Sequence, residues 1–392
     1  MKKLILFGAA VAMLGACTKS EERIYRVEVE APRTDCPVVI ADVPAWAESV
    51  VVTAEGEEIP SQLDKCLAEA AFVADVEQVK EFTVTFSEKP STKEYAPRTN
   101  AQMWWKTGDE ANPYEEKDTL FSFKDDMYRK LHHHGPAIES GWGAYRVYFD
   151  KKQTIDTYGK KKPQLELRQS MWYSTPEQLA EGFGHDNLRV FGSIGVGVLK
   201  GWDDEAKQMI HISDFKRREA RVLAKGPVRA IMEMEVEGWN YSGKELNMTS
   251  RYTIYAGHSD VVVENFIEGD FAGLKFVTGV MKMLETQFIK EERAVAQIGT
   301  DHPENDYEKW PKETVALAVA LPDEVEIISA EDDKLSYLYQ LTPNQEGRIS
   351  YHFDMNWRKS SWLDQLSDEE LLTDVLKKAK AAARPVKVER VK

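Results

Sequence analysis

The sequence predicts an all-β protein in which a small β-sandwich precedes a large antiparallel two-sheet sandwich. Short runs of alternating apolar and polar residues fill most of the chain, turn residues separate these runs, and a helical pattern is convincing only near the C-terminus. Alternation with a period of two is typical of strands that bury one face. At 392 residues the chain is also longer than one compact core usually supports, so two domains are expected.

The N-terminus has the layout of a secretory signal. A short positive segment precedes the apolar run Leu4–Ala16, which is too short to span a bilayer stably. The run ends in Leu14-Gly15-Ala16-Cys17, which is similar to the bacterial lipobox. We therefore expect residues 1–16 to be a signal peptide, Cys17 to carry lipid and residues 17–22 to be a tether. The predicted location is the outer membrane, on its periplasmic or cell-surface side, with the membrane contacted through the lipid anchor.

Residues 23–90 are predicted to form the small β-sandwich. The evidence is the series of strand-like runs RIYRVEVE, CPVVIADV, SVVVTAEG, AFVADV and EFTVTFSE, which are separated by turn residues. Cys36 and Cys66 both fall in this segment. Outside the cytoplasm two such cysteines are able to form a disulfide, and the sequence does not decide whether they do.

Residues 91–384 are predicted to form the large sandwich, with residues 99–130 as a long loop packed over it. In RAIMEMEVEGW the apolar residues alternate with charged ones, which is strong evidence for a half-exposed strand. Ser367 followed by three acidic residues predicts the start of a C-terminal helix, and residues 385–392 are predicted to be a tail. Further strands are predicted at 194–199, 208–213, 218–224, 292–298, 314–320, 335–341 and 347–354.

Charge and motif spacing exclude several classes of function. The 66 acidic and 51 basic residues give a net charge of −15, which argues against nucleic acid as a partner because phosphate binding needs a basic surface. Gly192, Gly195 and Gly197 lie in a strand-like run with no helix after it, so a nucleotide phosphate loop is rejected. The sequence contains no G-x-S-x-G and no Cys/His zinc spacing.

The stretch from Leu131 to Lys160 contains the densest mixture of groups able to move protons or hold a charged ligand. Three consecutive histidines precede Gly135-Pro136, and His134 is the one favoured for proton transfer. Alternation places Arg146 and Tyr148 on one face of their strand, and Arg251 and Tyr255 on one face of another. The predicted catalytic residues are His134, Tyr148, Arg146, Arg251 and Tyr255.

A second set of residues is predicted to bind substrate. The set consists of His133, Glu139, Tyr158, His185, Trp202 and His352. His132 or His134 together with Glu139 supplies two ligands for a metal ion, and the sequence names no third. No cofactor is therefore predicted, with a divalent cation kept as the alternative.

Five segments together resemble an uncharacterised family of lipoproteins from bacterial polysaccharide-utilisation loci, catalogued as a domain of unknown function. They are HHHGPAIES, AYRVYFDKKQTIDTYGK, GSIGVGVLKGWDD, VLAKGPVRAI and RYTIYAGHSDVVVEN. The resemblance covers nearly all of the chain after the signal segment. It implies a large domain similar to the galactose-mutarotase-like supersandwich, shared by epimerases, several glycosidases and many polysaccharide lyases. It also implies an oligosaccharide dehydratase acting on uronic-acid ends.

The residues fit this chemistry. Elimination next to a uronate needs a cation on the carboxylate, a base for the C5 proton and an acid for the departing oxygen. Arg146 or Arg251 is the predicted carboxylate clamp, His134 or Tyr148 the base, and Tyr255 or a remaining histidine the acid. The predicted function is therefore a carbon–oxygen lyase of polysaccharide degradation, a dehydratase or polysaccharide lyase that acts on uronic-acid-containing oligosaccharides.

Two other functions remain open on the sequence. A glycoside hydrolase would use Glu139 and Asp156 as its carboxylate pair. A non-catalytic surface glycan-binding lipoprotein would use tryptophans as platforms for sugar rings, the candidates being Trp104, Trp142 and Trp202. The density of titratable groups in the histidine-rich stretch favours an enzyme over a binding protein.

Overall fold

A computed structural model describes residues 18–123, 127–303, 307–308 and 310–392. The predicted signal peptide at 1–16 and the predicted lipidation site Cys17 lie outside the described residues. The prediction of an all-β fold is confirmed, since antiparallel strands dominate the described chain and the longest helix lies near its C-terminal end. No helix in these ranges is both long and apolar enough to cross a membrane.

The strands of the first half are short. The first seven are β1 Ser20–Val29, β2 Arg33–Ile40, β3 Ser49–Ala54, β4 Glu57–Ile59, β5 Ser61–Asp64, β6 Glu69–Val76 and β7 Val79–Ser87. The next are β8 Thr99–Gln102, β9 Trp104–Lys106, β10 Tyr114–Glu116, β11 Thr119–Ser122, β12 Ala137–Ser140, β13 Ala144–Val147 and β14 Ile155–Gly159. Then come helix α1 Leu167–Ser170, helix α2 Pro176–Glu181 and strand β15 His185–Asp186.

Longer strands follow in the second half. They are β16 Lys200–Asp203, β17 Gln208–Ile210, β18 Arg217–Ala224, β19 Arg229–Tyr241, β20 Lys244–Tyr255, β21 Val261–Gly269 and β22 Phe276–Met281. The last are β23 Leu284–Lys290, β24 Ala294–Asp301, β25 Glu313–Ala320, β26 Glu326–Ser329, β27 Ser336–Thr342, β28 Arg348–Trp357, helix α3 Asp368–Ala382 and β29 Val386–Arg390.

The small sandwich consists of two sheets around their own apolar core. Their strand orders are β29-β1-β7-β3-β4 and β2-β6-β5. Two predictions are wrong here: the tail at 385–392 contains β29, which pairs with β1, and the tether at 17–22 already enters β1 at Ser20. Val386 and Val388 alternate with charged residues and pack against the core, which is the short period-two pattern that the sequence analysis passed over.

The two cysteines of the small sandwich are free thiols. Cys36 is buried in the core and Cys66 is exposed in the turn after β5. The disulfide that the sequence left open is therefore not formed in this structure.

The large sandwich has a nine-stranded sheet as one layer and two five-stranded sheets as the other. The nine-stranded order is β11-β18-β19-β20-β21-β28-β25-β24-β23, and the five-stranded orders are β15-β14-β13-β12-β8 and β17-β16-β22-β27-β26. One continuous core draws Tyr252 from the first, Tyr145 from the second and Tyr339 from the third. This arrangement agrees with the predicted large antiparallel two-sheet sandwich.

Several predicted elements differ from the observed ones. The strand predicted at 194–199 is reduced to isolated bridges, because Gly195 and Gly197 adopt φ values of +67° and +62° that interrupt an extended chain. The segment 99–130, predicted as a loop, contains the short strands β8 to β11. Two short helices, α1 and α2, were not predicted, although Thr175 and Gln178 form a capping box at the start of α2.

The C-terminal helix is confirmed. Ser367 is the N-cap of α3 and forms a capping box with Glu370, as the acidic first turn predicts. Leu371 and Val375 pack with alanines of β24 and β25, so the helix covers the outer side of the nine-stranded sheet at that end.

Charged contacts join the small sandwich to the large one. The Arg229 guanidinium lies 2.7 Å from both Asp64 and Glu69 of the small sandwich. His258, in the turn after β20, places Nδ1 2.8 Å from an Asp260 carboxylate oxygen and Nε2 2.8 Å from the Asp35 carbonyl oxygen. A carbonyl and a carboxylate both accept, so the contacts call for protons on both ring nitrogens.

The pKa of His258 follows from these contacts. Burial lowers it, but the Asp260 carboxylate and the two hydrogen bonds outweigh burial and raise the pKa above its usual value. A raised folded-state pKa means that the stabilisation is fully present below the unfolded pKa near 6.5 and is lost as pH rises through the folded-state pKa.

We expect the melting temperature of the wild type to fall more steeply above about pH 6.5 than that of a His258→Gln variant, because the variant has no imidazolium to lose. The difference between the two at pH 6 should correspond to about 1–3 kcal/mol, the value of a hydrogen bond to a charged group. Thermal melts across pH 6 to 9 measure both curves. Parallel curves would show that the pKa of His258 is not raised on folding.

Candidate functional site

The register of one five-stranded sheet builds a polar face. We call the sheet β15-β14-β13-β12-β8 the site sheet. Arg146 on β13 lies opposite Asp156 on β14, and Tyr158 on β14 lies opposite Asp186 on β15. Tyr148, two residues after Arg146, projects to the same side, whereas Tyr145 projects into the main core. One face of the sheet is therefore committed to packing and the other to polar contacts.

Arg146 is the centre of that face. Its Nη2 lies 2.7 Å from the Tyr148 hydroxyl, 2.7 Å from Asp156 Oδ2 and 2.8 Å from Asp186 Oδ2. Its Nε lies 3.1 Å from Asp156 Oδ2, and its Nη1 donates to the Tyr173 hydroxyl at 3.0 Å. We call these five residues the Arg146 cluster. The predicted pairing of Arg146 and Tyr148 on one face is observed.

Burial decides the charge states in the cluster. The pKa of Asp186 is raised well above its usual range, first by burial and then by the Asp156 carboxylate, so Asp186 retains a proton to higher pH than an ordinary carboxyl group. The pKa of Tyr148 is also raised well above its usual value by burial, although Arg146 opposes the shift. The Tyr148 hydroxyl donates a hydrogen bond to Asp156 Oδ2 at 2.8 Å. It is therefore a proton donor, and its predicted role as a base does not fit.

The segment after α1 supplies two residues that the sequence analysis missed. Trp172 is buried, donates from Nε1 to Asp186 Oδ2 at 2.9 Å and lies under the Arg146 guanidinium, 4.5 Å from its ring centroid. Tyr173 follows and reaches Arg146 from the more exposed side. Met171 and Trp172 both have positive φ, a conformation that costs of order 1 kcal/mol or more for a non-glycine residue. Only the adjacent Trp-Tyr pair, shortly before His185-Asp186, signalled this segment in the sequence.

His134 is stacked on the Tyr128 ring beside the cluster, and the Tyr148 ring is adjacent to both. Its ring lies 3.8 Å from the Tyr128 ring and 6.0 Å from the Tyr148 ring. Its Nδ1 lies 3.0 Å from the Tyr128 carbonyl oxygen, so Nδ1 carries the proton and, in the neutral ring, Nε2 has a free lone pair. Burial, followed by Arg146, lowers the pKa of His134 to about 4, which leaves the ring neutral at neutral pH.

The turn that holds His134 requires glycine at the next position. His134 has a φ of +68°, and a Cβ on Gly135 would lie 1.8 Å from the Val147 carbonyl oxygen. The backbone therefore passes directly against β13, which fixes the imidazole relative to Arg146 and Tyr148. The Gly-Pro sequence after the histidines is explained by this close approach.

The other two histidines have different surroundings. His133 is fully buried, with Nδ1 2.9 Å from the Gly135 carbonyl oxygen and Nε2 3.3 Å from the Gln102 amide nitrogen. Both ring nitrogens are occupied by the protein, so the predicted substrate-binding role of His133 is wrong. His132 is half-buried against Tyr173, and burial lowers its pKa to about 4.

A cavity of about 420 Å³ opens beside Tyr148 and Tyr128. Its lining includes four cationic side chains and one carboxylate: Arg129, Lys151, Lys152, Arg189 and Asp150. Arg189 pairs with Asp301 at 3.1 Å, and Asp150 accepts backbone hydrogen bonds from its own turn. The cavity is thus positively charged in a protein whose net charge is −15, and its volume is within the usual range for ligand sites.

Arg251 and Tyr255 do not join the Arg146 cluster, so this part of the predicted catalytic set is wrong. Arg251 is half-buried on the nine-stranded sheet and pairs with Glu233 at 2.8 Å. Tyr255 is buried against Ala71 and Val73 of the small sandwich. The two residues share one face of β20, as alternation predicts. That face is the outer face of the nine-stranded sheet, which the small sandwich and a network of ion pairs cover.

Glu139 and Tyr158 are on the site sheet, but their polar atoms serve the fold. Glu139 is fully buried, pairs with Lys160 and accepts from the Glu166 and Leu167 backbone at 3.0 and 3.1 Å. Tyr158 is buried, with its hydroxyl 2.9 Å from the Gly184 carbonyl oxygen. The predicted binding roles of both, and the hydrolase pair of Glu139 with Asp156, are therefore not supported by the geometry.

A metal site using Glu139 is also disfavoured, because both of its oxygens are already engaged by cationic and N–H donors. Within the described ranges no three His, Cys, Asp or Glu side chains are grouped as metal ligands.

The remaining predicted binding residues lie apart from the cluster or point away from it. His185 is buried, with Nε2 3.4 Å from Glu313 and Nδ1 2.6 Å from the Asp186 carbonyl oxygen. Trp202 is buried in the main core, so it offers no platform for a sugar. His352, in the middle of β28, is half-buried with Nδ1 3.8 Å from an Asp260 carboxylate oxygen, and it lines a different cavity. The structure therefore does not bring these three residues into the Arg146 cluster, because residue type and strand face do not reveal which layer covers that face.

Two further tryptophans were considered as platforms. Trp104 lies half-buried under the Arg168 guanidinium, 5.6 Å from its ring centroid. Trp142, in the β12–β13 turn, packs edge-on against Trp362 at 5.0 Å. Neither lines the cationic cavity.

The fold and the site define a β-sandwich protein with a buried arginine cluster next to a positively charged cavity. The chain belongs to the family described as "Domain of unknown function (DUF4861)", whose model matches residues 28–388. The resemblance to an uncharacterised family is thereby confirmed. No curated protein matches the chain.

Two solved structures from Enterococcus faecalis are similar at low identity. One is described as a protein in the glycosyl hydrolase family 38, with 8% identity, a TM-score of 0.42, and coverage of 95% of this chain and 47% of that chain. The other is an alpha-mannosidase from strain V583, with 7% identity, a TM-score of 0.43, and coverage of 95% and 46%. This chain spans about half the length of either. The scores are too low to assign an activity to it.

Proposed function

We propose that this chain is a carbohydrate-active enzyme that catalyses β-elimination on uronic-acid-containing oligosaccharides. The observation that carries the proposal is a neutral histidine with an unprotonated Nε2 that stacks on Tyr128, beside Tyr148 and a buried arginine, where the two tyrosines line a positively charged cavity. Base, acid and anion-binding groups thus occur together, and this combination is what elimination next to a carboxylate requires.

The cavity cations replace Arg146 as the carboxylate-binding groups. Arg146 is already engaged by two aspartates and two tyrosines, so it has little capacity to clamp a substrate. Arg129 and Lys151 are exposed at the cavity and are suited to a uronate carboxylate. Neutralising that carboxylate makes the proton on C5 more acidic.

His134 is the proposed base. Its Nε2 takes the C5 proton, the C–H electron pair forms the C4–C5 double bond, and the C4–O bond breaks. The other ring proton stays on Nδ1, which donates a hydrogen bond to the Tyr128 carbonyl oxygen throughout, and this bond fixes the tautomer. The low pKa of about 4 makes His134 a weak base, so the acidified C5 proton is a necessary part of the scheme.

Tyr173 is the proposed acid. Its ring centroid lies 6.3 Å from that of His134, so one sugar ring can contact both, and its hydroxyl oxygen accepts a hydrogen bond from Arg146. When the phenol gives its proton to the departing oxygen, the resulting phenolate lies 3.0 Å from the guanidinium and is stabilised by it. The departing group leaves as water in a dehydratase or as a saccharide with a free anomeric hydroxyl in a polysaccharide lyase.

The product distinguishes the candidate functions. We expect purified protein, incubated with oligosaccharides that contain galacturonate, glucuronate, mannuronate or guluronate, to produce the ultraviolet absorbance of an unsaturated uronate. New reducing ends without that absorbance would instead indicate hydrolysis. Saturable binding without either product would indicate a glycan-binding lipoprotein.

We expect His134→Ala to lower kcat by about a hundredfold or more, because general base catalysis typically contributes 10²–10⁴. For the wild type, the decrease of kcat/KM on the acidic side should occur near pH 4 rather than near 6.5. The reason is that the imidazole must be unprotonated to act as the base and its pKa is about 4. His352→Ala is the matched control, because that histidine lies outside the cluster. Wild-type rates in His134→Ala with an intact melting temperature would remove His134 from the site.

We also infer that the protein is a lipoprotein of a polysaccharide-utilisation system, anchored to the outer membrane through Cys17. The support is the Leu14–Cys17 sequence after a short apolar run. We expect radiolabelled palmitate to be incorporated into the wild type in a bacterial host and to be lost in Cys17→Ser. Equal labelling of the two proteins would contradict the anchor.

A further inference from the structure

An exposed aromatic residue stands at the cavity, and no packing role explains it. Phe191 lines the cavity and is 56% exposed. It also has a φ of +44°, in the left-handed region that a bulky residue rarely adopts. Exposure of an apolar ring and an unfavourable backbone conformation are two separate costs at one residue, and such costs cluster at functional sites.

The surrounding residues hold this ring in place. The Arg189 guanidinium lies 4.3 Å from the Phe191 ring centroid, and the same guanidinium lies 5.3 Å from the ring of Tyr307. Lys152 donates from Nζ to the Phe191 carbonyl oxygen at 2.7 Å, and Ser193 closes the turn by donating to the Val190 carbonyl oxygen. Arg189 therefore contacts the ring and Lys152 holds the backbone that carries it, in addition to their charges in the cavity.

The geometry points to Phe191 as an aromatic subsite for a second sugar ring, adjoining the uronate that the cavity cations bind. The inference rests on the proposed function, and it adds that the substrate is an oligosaccharide of at least two rings. The C–H face of a pyranose is apolar and flat enough to pack against a phenyl ring, whereas the cations beside it suit the carboxylate of the neighbouring ring. The substrate must therefore present an anionic residue next to one with an accessible apolar face.

An exposed side chain makes this subsite simple to test in the full-length protein. The probes are the trisaccharides of galacturonate, mannuronate and glucuronate, each compared with the methyl glycoside of the same uronic acid by titration calorimetry. We expect Phe191→Ala to weaken trisaccharide binding by about tenfold and to leave methyl glycoside binding unchanged. Phe191→Trp should retain the preference for the trisaccharide. Phe191→Gly should lose it while melting at the wild-type temperature or above, because glycine adopts the positive φ without strain.

The outcomes separate this subsite from the proposed reaction. If the protein prefers trisaccharides in a way that depends on Phe191 but forms no unsaturated product, the proposed subsite is supported and elimination is rejected. Formation of unsaturated product with unchanged trisaccharide binding in Phe191→Ala would reject the subsite alone. Equal weakening of both probe classes, or a wild type that binds no trisaccharide, would also overturn the subsite.

Discussion

The burial of Arg146 is the constraint on which the rest of the site depends. A guanidinium taken out of water must be surrounded by acceptors, and the site sheet supplies Asp156, Asp186 and Tyr148 by strand register alone. Trp172 covers one side of it, which explains why the segment after α1 adopts a strained conformation over the sheet. The Arg146 cluster is therefore a support that orients its two tyrosines. Contact with the substrate is left to the more exposed members of the cluster.

The burial of Arg146 also divides the site into an interior part with balanced charges and a cavity with net positive charge. The interior part holds one arginine between two carboxyl groups, one of which retains its proton easily, so its charges largely compensate each other. The adjoining cavity carries the uncompensated positive charge. In an acidic protein this difference attracts an anionic ligand to one place, while the neutral His134 nearby adds no charge and keeps its Nε2 free to accept a proton.

Sequence patterns identified most of the long strands, the helix α3 and the faces of strands, but they did not show which layer covers each face. Alternation correctly placed Arg146 with Tyr148, and the capping pattern at Ser367 located α3. The same alternation grouped Arg251 with Tyr255, yet no pattern shows that the small sandwich covers Tyr255. Tyr173 was missed because it comes from an irregular segment after a four-residue helix, where neither period applies. Side chains that meet through long-range packing have no local signature.

The pairing of β29 with β1 has a consequence for how the chain folds. The first sheet of the small sandwich receives its edge strand from residues 386–390, after the whole large sandwich has intervened. This contact joins the first and last strands of the described residues, and we expect such a non-local pairing to form late in folding. Until then the β1 edge is open to pairing with other chains. Once paired, the last strand covers this edge and removes it as a site of aggregation.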